Sequence, residues 1–263
     1  MTKKRSALVW QVSGGTAVGS SYLFGTMHVK DARAFGRREI VYEKILECDL
    51  FGTEIDLDEA PSFDPSTFQL PPGQSLDRLI PEKKYDRLKR ILRKAFGLHL
   101  DQLRFLKPIV IANLIDEQIL QNEMPEALDR HLWNYAAELG KTCLGIETVS
   151  EQIELLRNMP LEQQVKSLLS IGRNVSAQRK RVRTLTRAYE RGDIFRIFQM
   201  ARRGSGQFRH SMIFNRNRHM ADRLSELMQR HTLFFAVGAG HLAGEQGLIR
   251  LLKQRGFRVR PVA

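Results

Sequence analysis

The chain has 263 residues, 42% hydrophobic and 27% charged, a composition that excludes a disordered chain and supports a full hydrophobic core. Lys and Arg outnumber Asp and Glu by 42 to 29, giving a formal net charge of +13. Two cysteines, Cys48 and Cys143, make no disulfide framework, and no apolar run approaches the roughly 20 residues that cross a bilayer.

Met1-Thr2-Lys3-Lys4-Arg5 has the charge of a secretory leader, but the apolar patch Ser6–Val12 is short and runs into Ser13-Gly14-Gly15. It reads as a first strand, pointing to a cytoplasmic protein without ruling against export. Ala7–Val12 and Ser20–Phe24 are predicted to pair as a hairpin. Arg37–Glu47 has helical spacing, with Ile40, Val41, Ile45 and Leu46 on one side. Asp49–Ile55 follows as a strand carrying Glu54 at its end. The proline-rich stretch Leu57–Leu76 reads as a loop. Helices are predicted between Pro81 and Gly140, among them Pro108–Gln121 and Pro125–Leu139.

Lys141–Glu147 reads as a short strand and Val149–Arg157 as a helix. Leu161 to Gln229 is nearly all helical, interrupted at Gly192 and Gly204–Gly206. Strand Leu233–Val237, helix Leu242–Arg255 and strand Arg258–Val262 close the chain as a βαβ unit. The expected fold is α/β, one domain over residues 1–263. Its central mixed sheet comes from the N- and C-terminal thirds, with a mainly helical insertion over 81–229.

Much of the positive charge lies between Arg173 and Arg203, where Arg179-Lys180-Arg181 and Arg183 crowd one helix. A solvated helical face explains this better than a nucleic-acid patch, because aromatics are not interleaved with the basic residues.

Two motifs stand out. Ser21-Tyr22-Leu23-Phe24-Gly25-Thr26-Met27-His28 and Leu233-Phe234-Phe235-Ala236-Val237-Gly238-Ala239-Gly240-His241 both read as an apolar strand followed by Gly-x-x-His. A strand that ends at Gly turns tightly and leaves its imidazole at the carboxyl edge of the sheet, where open α/β sheets keep their sites. His28 and His241 are therefore expected to converge. His241 is also predicted to open a helix, whose dipole favours the neutral, metal-binding imidazole.

Glu54 in Leu50-Phe51-Gly52-Thr53-Glu54 is a carboxylate inside an apolar strand, which needs a partner or a metal. Glu147 in Leu144-Gly145-Ile146-Glu147 repeats the pattern. Two strand-end His and two strand-end Glu make a mixed N/O set for a divalent ion. Arg216 in Asn215-Arg216-Asn217 sits between poor helix formers, which points to polar contacts. The loop Gly238-Ala239-Gly240-His241-Leu242-Ala243-Gly244 departs from a dinucleotide fingerprint, with its third Gly one place late.

These residues, with Thr53-Glu54, Ile146-Glu147-Thr148 followed by Glu151-Gln152, and Gly238-Ala239-Gly240-His241-Leu242, together resemble the TraB/GumN family from about Leu8 to Val262. The resemblance implies a fold akin to the erythromycin-esterase and ChaN-like group, with a site at the sheet edge. It also implies a metal-dependent peptidase using Mn2+ or Co2+, with Zn2+ a further candidate. By position, His28, His241 and Glu54 would be the metal residues, with Glu54, Glu147 and Arg216 in catalytic roles. Many members of that family are exported or membrane-bound, whereas this sequence has no convincing leader or anchor, so their substrates do not transfer. The expected function is a hydrolase acting on a peptide or small-molecule substrate. The rivals are a metal-independent esterase-type hydrolase and a non-catalytic ligand- or metal-binding protein.

Overall fold

A computed structural model describes residues 7–59, 64–120, 122–204 and 210–262. The basic stretch Met1–Arg5, the end of the predicted helix at Gln121, Pro61 of the loop and the interruption at Ser205-Gly206 lie outside the described residues.

In chain order the elements are β1 (Val9–Ser13), β2 (Ser21–Thr26), α1 (Arg38–Leu46), β3 (Leu50–Thr53), α2 (Leu76–Leu79), α3 (Glu82–Phe96), α4 (Pro108–Ile119) and α5 (Leu128–Glu138). Then come β4 (Thr142–Gly145), α6 (Val149–Arg157), α7 (Leu161–Arg173), α8 (Val175–Glu190), α9 (Ile194–Gly204), a π-helical segment His210–Asn215 and α10 (Arg216–Met228). The last elements are β5 (Leu233–Gly238), a 3-10 turn Ala239–His241, α11 (Leu248–Gln254) and β6 (Arg258–Pro261).

The fold is α/β, with six strands in the order β4-β3-β5-β2-β1-β6. The pairs β4–β3, β3–β5 and β5–β2 are parallel, whereas β1 runs antiparallel to both β2 and β6. Central parallel strands are covered on both faces and so read as unbroken apolar runs. β2 is buried at every position and β5 at all but its final Gly238, while β1 alternates more, as a strand nearer the sheet's margin should.

The predicted β1–β2 hairpin is present, in the register Val12↔Ser21. The closing βαβ unit is not a pair of neighbours: β2 and β1 lie between β5 and β6. The helix between them also starts at Leu248, not Leu242, because Gly244 adopts a left-handed φ of 94° and turns the chain first. One strand, β4, comes from the middle of the chain and pairs with β3.

Two compact units can be distinguished. The first, Met1–Pro61 with Glu123–Gln152 and Leu185–Ala263, holds the sheet. Its core contains Phe24, Phe51, Trp133, Phe234 and Phe235, all nearly inaccessible. Phe51 and Phe234 stack from adjacent strands with centroids 5.9 Å apart.

The second unit, Ser62–Asn122 with Ile153–Thr184, is helical and has its own core. There α3 buries Tyr85, Leu88, Leu92 and Phe96, one stripe at helical spacing. Two of its basic side chains are tied down locally. Arg181 pairs with Asp116 at 2.8 Å, and Arg179 lies over the Phe96 ring while donating to the Ala95 carbonyl.

Candidate active site

Glu147, Glu54, His241 and His28 each follow the carboxyl end of one of four adjacent parallel strands, β4, β3, β5 and β2 in that order. The β2–β5 register makes Thr26 and Gly238 partners, so His28 and His241 leave the same edge on neighbouring strands. Neighbouring strands lie about 4.8 Å apart, so the two motifs leave the sheet side by side.

The two glycine motifs also touch. A Cβ on Gly25 would come within 2.7 Å of Leu242 Cδ1 and 3.1 Å of Ala239 Cα, so the bare glycine of the first motif makes room for the loop of the second.

Glu54 and Glu147 are set side by side because the β3–β4 ladder continues past its strands. The Ile146 amide donates to the Thr53 carbonyl at 2.9 Å and the Glu147 amide to the Glu54 carbonyl at 2.7 Å. Arg216, at the start of α10, bridges them. Its Nε donates to Glu147 Oε1 and Oε2 at 2.9 and 3.1 Å, and its Nη2 donates to Glu54 Oε2 and Glu147 Oε2, each at 2.5 Å. Gln152 Nε2 adds a bond to Glu147 Oε2 at 3.2 Å. A carboxylate pair held by one guanidinium meets the requirement that withdrawn charges be paired.

The side chains of Glu147 and Arg216 are 5% and 15% exposed, and that of Glu54 is 25% exposed, so it is Glu54 that opens toward solvent. Burial alone would raise the Glu54 carboxyl. The Arg216 and His241 side chains and the Gly238 amide outweigh it and hold the group at about 2. Burial likewise works against the Arg216 charge, but Glu54 and Glu147 raise its pKa above the usual value.

His241 ends the 3-10 turn; it does not open a helix, so a helix dipole is not what keeps it neutral. Burial lowers its pKa, against the pull of Glu54. Its Nδ1 is 2.6 Å from Asn217 Oδ1. Asn217 Nδ2 is already donating to the Gln246 and His241 carbonyls, so Oδ1 must accept and Nδ1 carries the hydrogen. The lone pair is therefore on Nε2, which lies 3.9 Å from Glu54 Oε1. The other partner of Oε1 is the Gly238 amide at 2.9 Å, where a Cβ would crowd the carboxylate at 3.1 Å.

His28 is built the same way. Its Nδ1 lies 2.8 Å from Asp129 Oδ2, and Asp129 Oδ1 accepts from Thr26 Oγ1 at 2.6 Å. A carboxylate only accepts, so Nδ1 carries a hydrogen and Nε2 holds the lone pair in the neutral form of the ring; the His28 side chain is 71% exposed. Both imidazoles thus give Nδ1 to an acceptor on a helix, the arrangement that orients metal-binding or basic histidines. Among the described residues, no group of three or more His, Cys, Asp or Glu is disposed to hold a metal ion.

The helix residues Asp129 and Asn217 could not be assigned from sequence spacing. Asn217 was signalled only by its place beside Arg216, and Asp129 by nothing beyond being an acid in the first turn of α5.

An α/β protein with its polar residues gathered at the carboxyl edge of a mixed sheet is the class defined by this geometry. The chain belongs to the TraB/PrgY/gumN family, whose model matches residues 8–261. It is 26% identical to Metalloprotease TIKI2 of Danio rerio, with 98% of this chain and 61% of the relative aligned. It is also 26% identical to Metalloprotease TIKI1 of Xenopus tropicalis, over 98% and 63%. The human Metalloprotease TIKI1 is 23% identical over 91% and 59%. The chain spans about three-fifths of the length of these relatives. No solved structure matches it.

Proposed function

We propose that this protein is a metal-dependent hydrolase of peptide bonds, with its site at the edge formed by Glu147, Glu54, His241 and His28. The observation that carries the reading is the facing pair His241 Nε2 and Glu54 Oε1, 3.9 Å apart. Asn217 commits the imidazole proton to Nδ1, and Arg216 keeps the carboxylate ionised, so two lone pairs face each other without a shared proton. With two carboxylates to one guanidinium, the cluster keeps a net negative charge. The chemistry of this donor set suits a divalent cation, for which His241 and Glu54 would be ligands, with His28 a third from the neighbouring strand. The names of the relatives support a metal, and the resemblance favours Mn2+ or Co2+, with Zn2+ as the alternative. Such an ion supplies Lewis-acid polarisation of a carbonyl and of water.

The protein's own groups do the rest. Glu54, with its free approach from solvent, is ligand or general base. Glu147 and Gln152 fix the orientation of Arg216 and Glu54. Arg216 holds Glu54 ionised and ties it to Glu147. Asn217 and Asp129 orient the two imidazoles.

A second reading rests on the His28–Asp129 pair, which orients an exposed imidazole to act as a general base without a metal. The deciding experiment is elemental analysis of protein purified without chelator, repeated on His241→Ala, together with peptidase assays before and after chelation. Stoichiometric metal lost in the variant, with activity restored by Mn2+ or Co2+, supports the first reading. Chelator-resistant turnover abolished by His28→Ala supports the second.

A further inference from the structure

The first unit contains a groove of about 660 Å³ that belongs to none of the site residues above. Its floor and walls are apolar: Trp10 from β1, Ile194, Phe195 and Phe198 from α9, Leu242 from the loop after His241, and Ile249 from α11. Three exposed cations, Arg202, Arg250 and Lys253, stand at it against one carboxylate, Glu245. Among the described residues these three cations enter no ion pair. Elsewhere Arg130, Arg181, Arg223 and Arg255 are each paired with an acid. A cavity of this size, mostly apolar with a few convergent polar groups, has the make-up of a small-molecule site.

We infer that this groove binds an amphiphilic anion, a long-chain carboxylate whose alkyl tail lies on the Trp10, Phe198 and Ile249 surface and whose head group meets Arg202, Arg250 and Lys253. A bare anion would leave the apolar floor wet, and an apolar molecule would leave the excess positive charge uncompensated. An amphiphile of opposite charge satisfies both, its tail leaving water as its head group is paired. The groove also backs onto the second glycine motif. Phe198 packs so tightly on Gly244 that a Cβ there would lie 2.6 Å from its ring, and a Cβ on Gly240 would lie 3.2 Å from Ala201. A tail resting on Phe198 therefore presses on the segment that carries His241. Binding itself does not depend on the hydrolase reading.

The test is a titration of the intact chain with dodecanoate below its micellar concentration, read by calorimetry and by Trp fluorescence, since Trp10 lines the groove. The expected result is saturable 1:1 binding, with acetate showing none and dodecyltrimethylammonium binding at least tenfold more weakly. Replacing the three cations together (Arg202→Gln, Arg250→Gln, Lys253→Gln) should weaken dodecanoate at least tenfold while leaving the melting temperature unchanged. Absence of saturable binding, equal affinity for the cationic amphiphile, or wild-type affinity in the triple variant would each overturn the proposal. So would sedimentation showing that the triple substitution dissociates a dimer, because the groove would then be covered by a second copy. The comparison of anionic and cationic amphiphiles on the wild type stands even if the variant folds poorly.

Discussion

Asn217 holds His241 and the loop after it by three bonds: its Oδ1 accepts from the ring at 2.6 Å, and its Nδ2 donates to the carbonyls of His241 and Gln246 at 3.3 and 2.6 Å. It is completely buried, so no water replaces these bonds on truncation. Asn217→Ala is expected to cost roughly 1–3 kcal/mol of stability by stranding buried polar groups. If His241 is a ligand, metal affinity should also fall about 10–100-fold, as on loss of other orienting groups. Thermal melts and metal titrations on one preparation check both.

Glu54→Gln keeps the shape of the side chain and removes its charge. As ligand or base, it should lose roughly 10²–10⁴ in rate. Arg216 retains Glu147, so stability should fall less than in Glu147→Ala, which takes from the guanidinium its most buried partner and should cost about 3–5 kcal/mol. Equal destabilisation with normal turnover per folded molecule would give Glu54 a purely structural role.

Gly25→Ala tests the contact between the two glycine motifs. The added methyl meets Leu242 and Ala239 at 2.7 and 3.1 Å, and Ala239 is held by the turn it begins. Overpacking of this kind costs about 1–3 kcal/mol. Because the displaced segment carries His241, turnover should fall further than the folded fraction, which calorimetry and kinetics together will read.

Glu151 caps α6 reciprocally with Thr148: the Glu151 amide donates to Thr148 Oγ1 at 3.1 Å, and the Thr148 amide donates to Glu151 Oε2 at 2.7 Å. Arg223 adds bonds to both carboxylate oxygens and to the Ile146 carbonyl, fixing the approach of Glu147 to the site. Chiefly through Arg223, the Glu151 carboxyl is lowered to about 2. A depressed carboxyl stabilises the fold above its unfolded value of 4.5, and that contribution is lost as pH falls from there toward 2. At 39% side-chain exposure the effect is screened, so Glu151→Gln should flatten the acid limb of the stability curve and cost about 0.5–1 kcal/mol near neutrality. Urea melts between pH 2 and 7 measure this.

The strand ends were plainly legible in the sequence, and the helices that meet them were not. Gly-x-x-His after an apolar run located β2 and β5. The lone carboxylates of Thr53-Glu54 and Ile146-Glu147 marked β3 and β4, because a charge at the end of a buried strand survives only beside a partner. Strand order was not legible: a βαβ pattern late in the chain does not say that β2 and β1 will intervene between its strands. Nor was the turn after His241, which Gly244 forces through a backbone angle that periodicity does not sense. Asp129 eluded sequence reasoning because its partner His28 lies 101 residues away. Thr148-x-x-Glu151, by contrast, is a capping pattern readable in the bare sequence.

The centre of the sheet joins segments far apart in the chain: the Leu233 amide donates to Ser21 Oγ across 212 residues. During synthesis at about 5–20 residues per second, β2 must therefore wait roughly 10–40 s for the strand that completes it. Throughout that interval its apolar face and unpaired edge are exposed, an invitation to wrong partners. The polar edge cannot assemble until β5 arrives with His241, so a nascent chain carries His28 and Glu54 for most of that time without the residue that faces them.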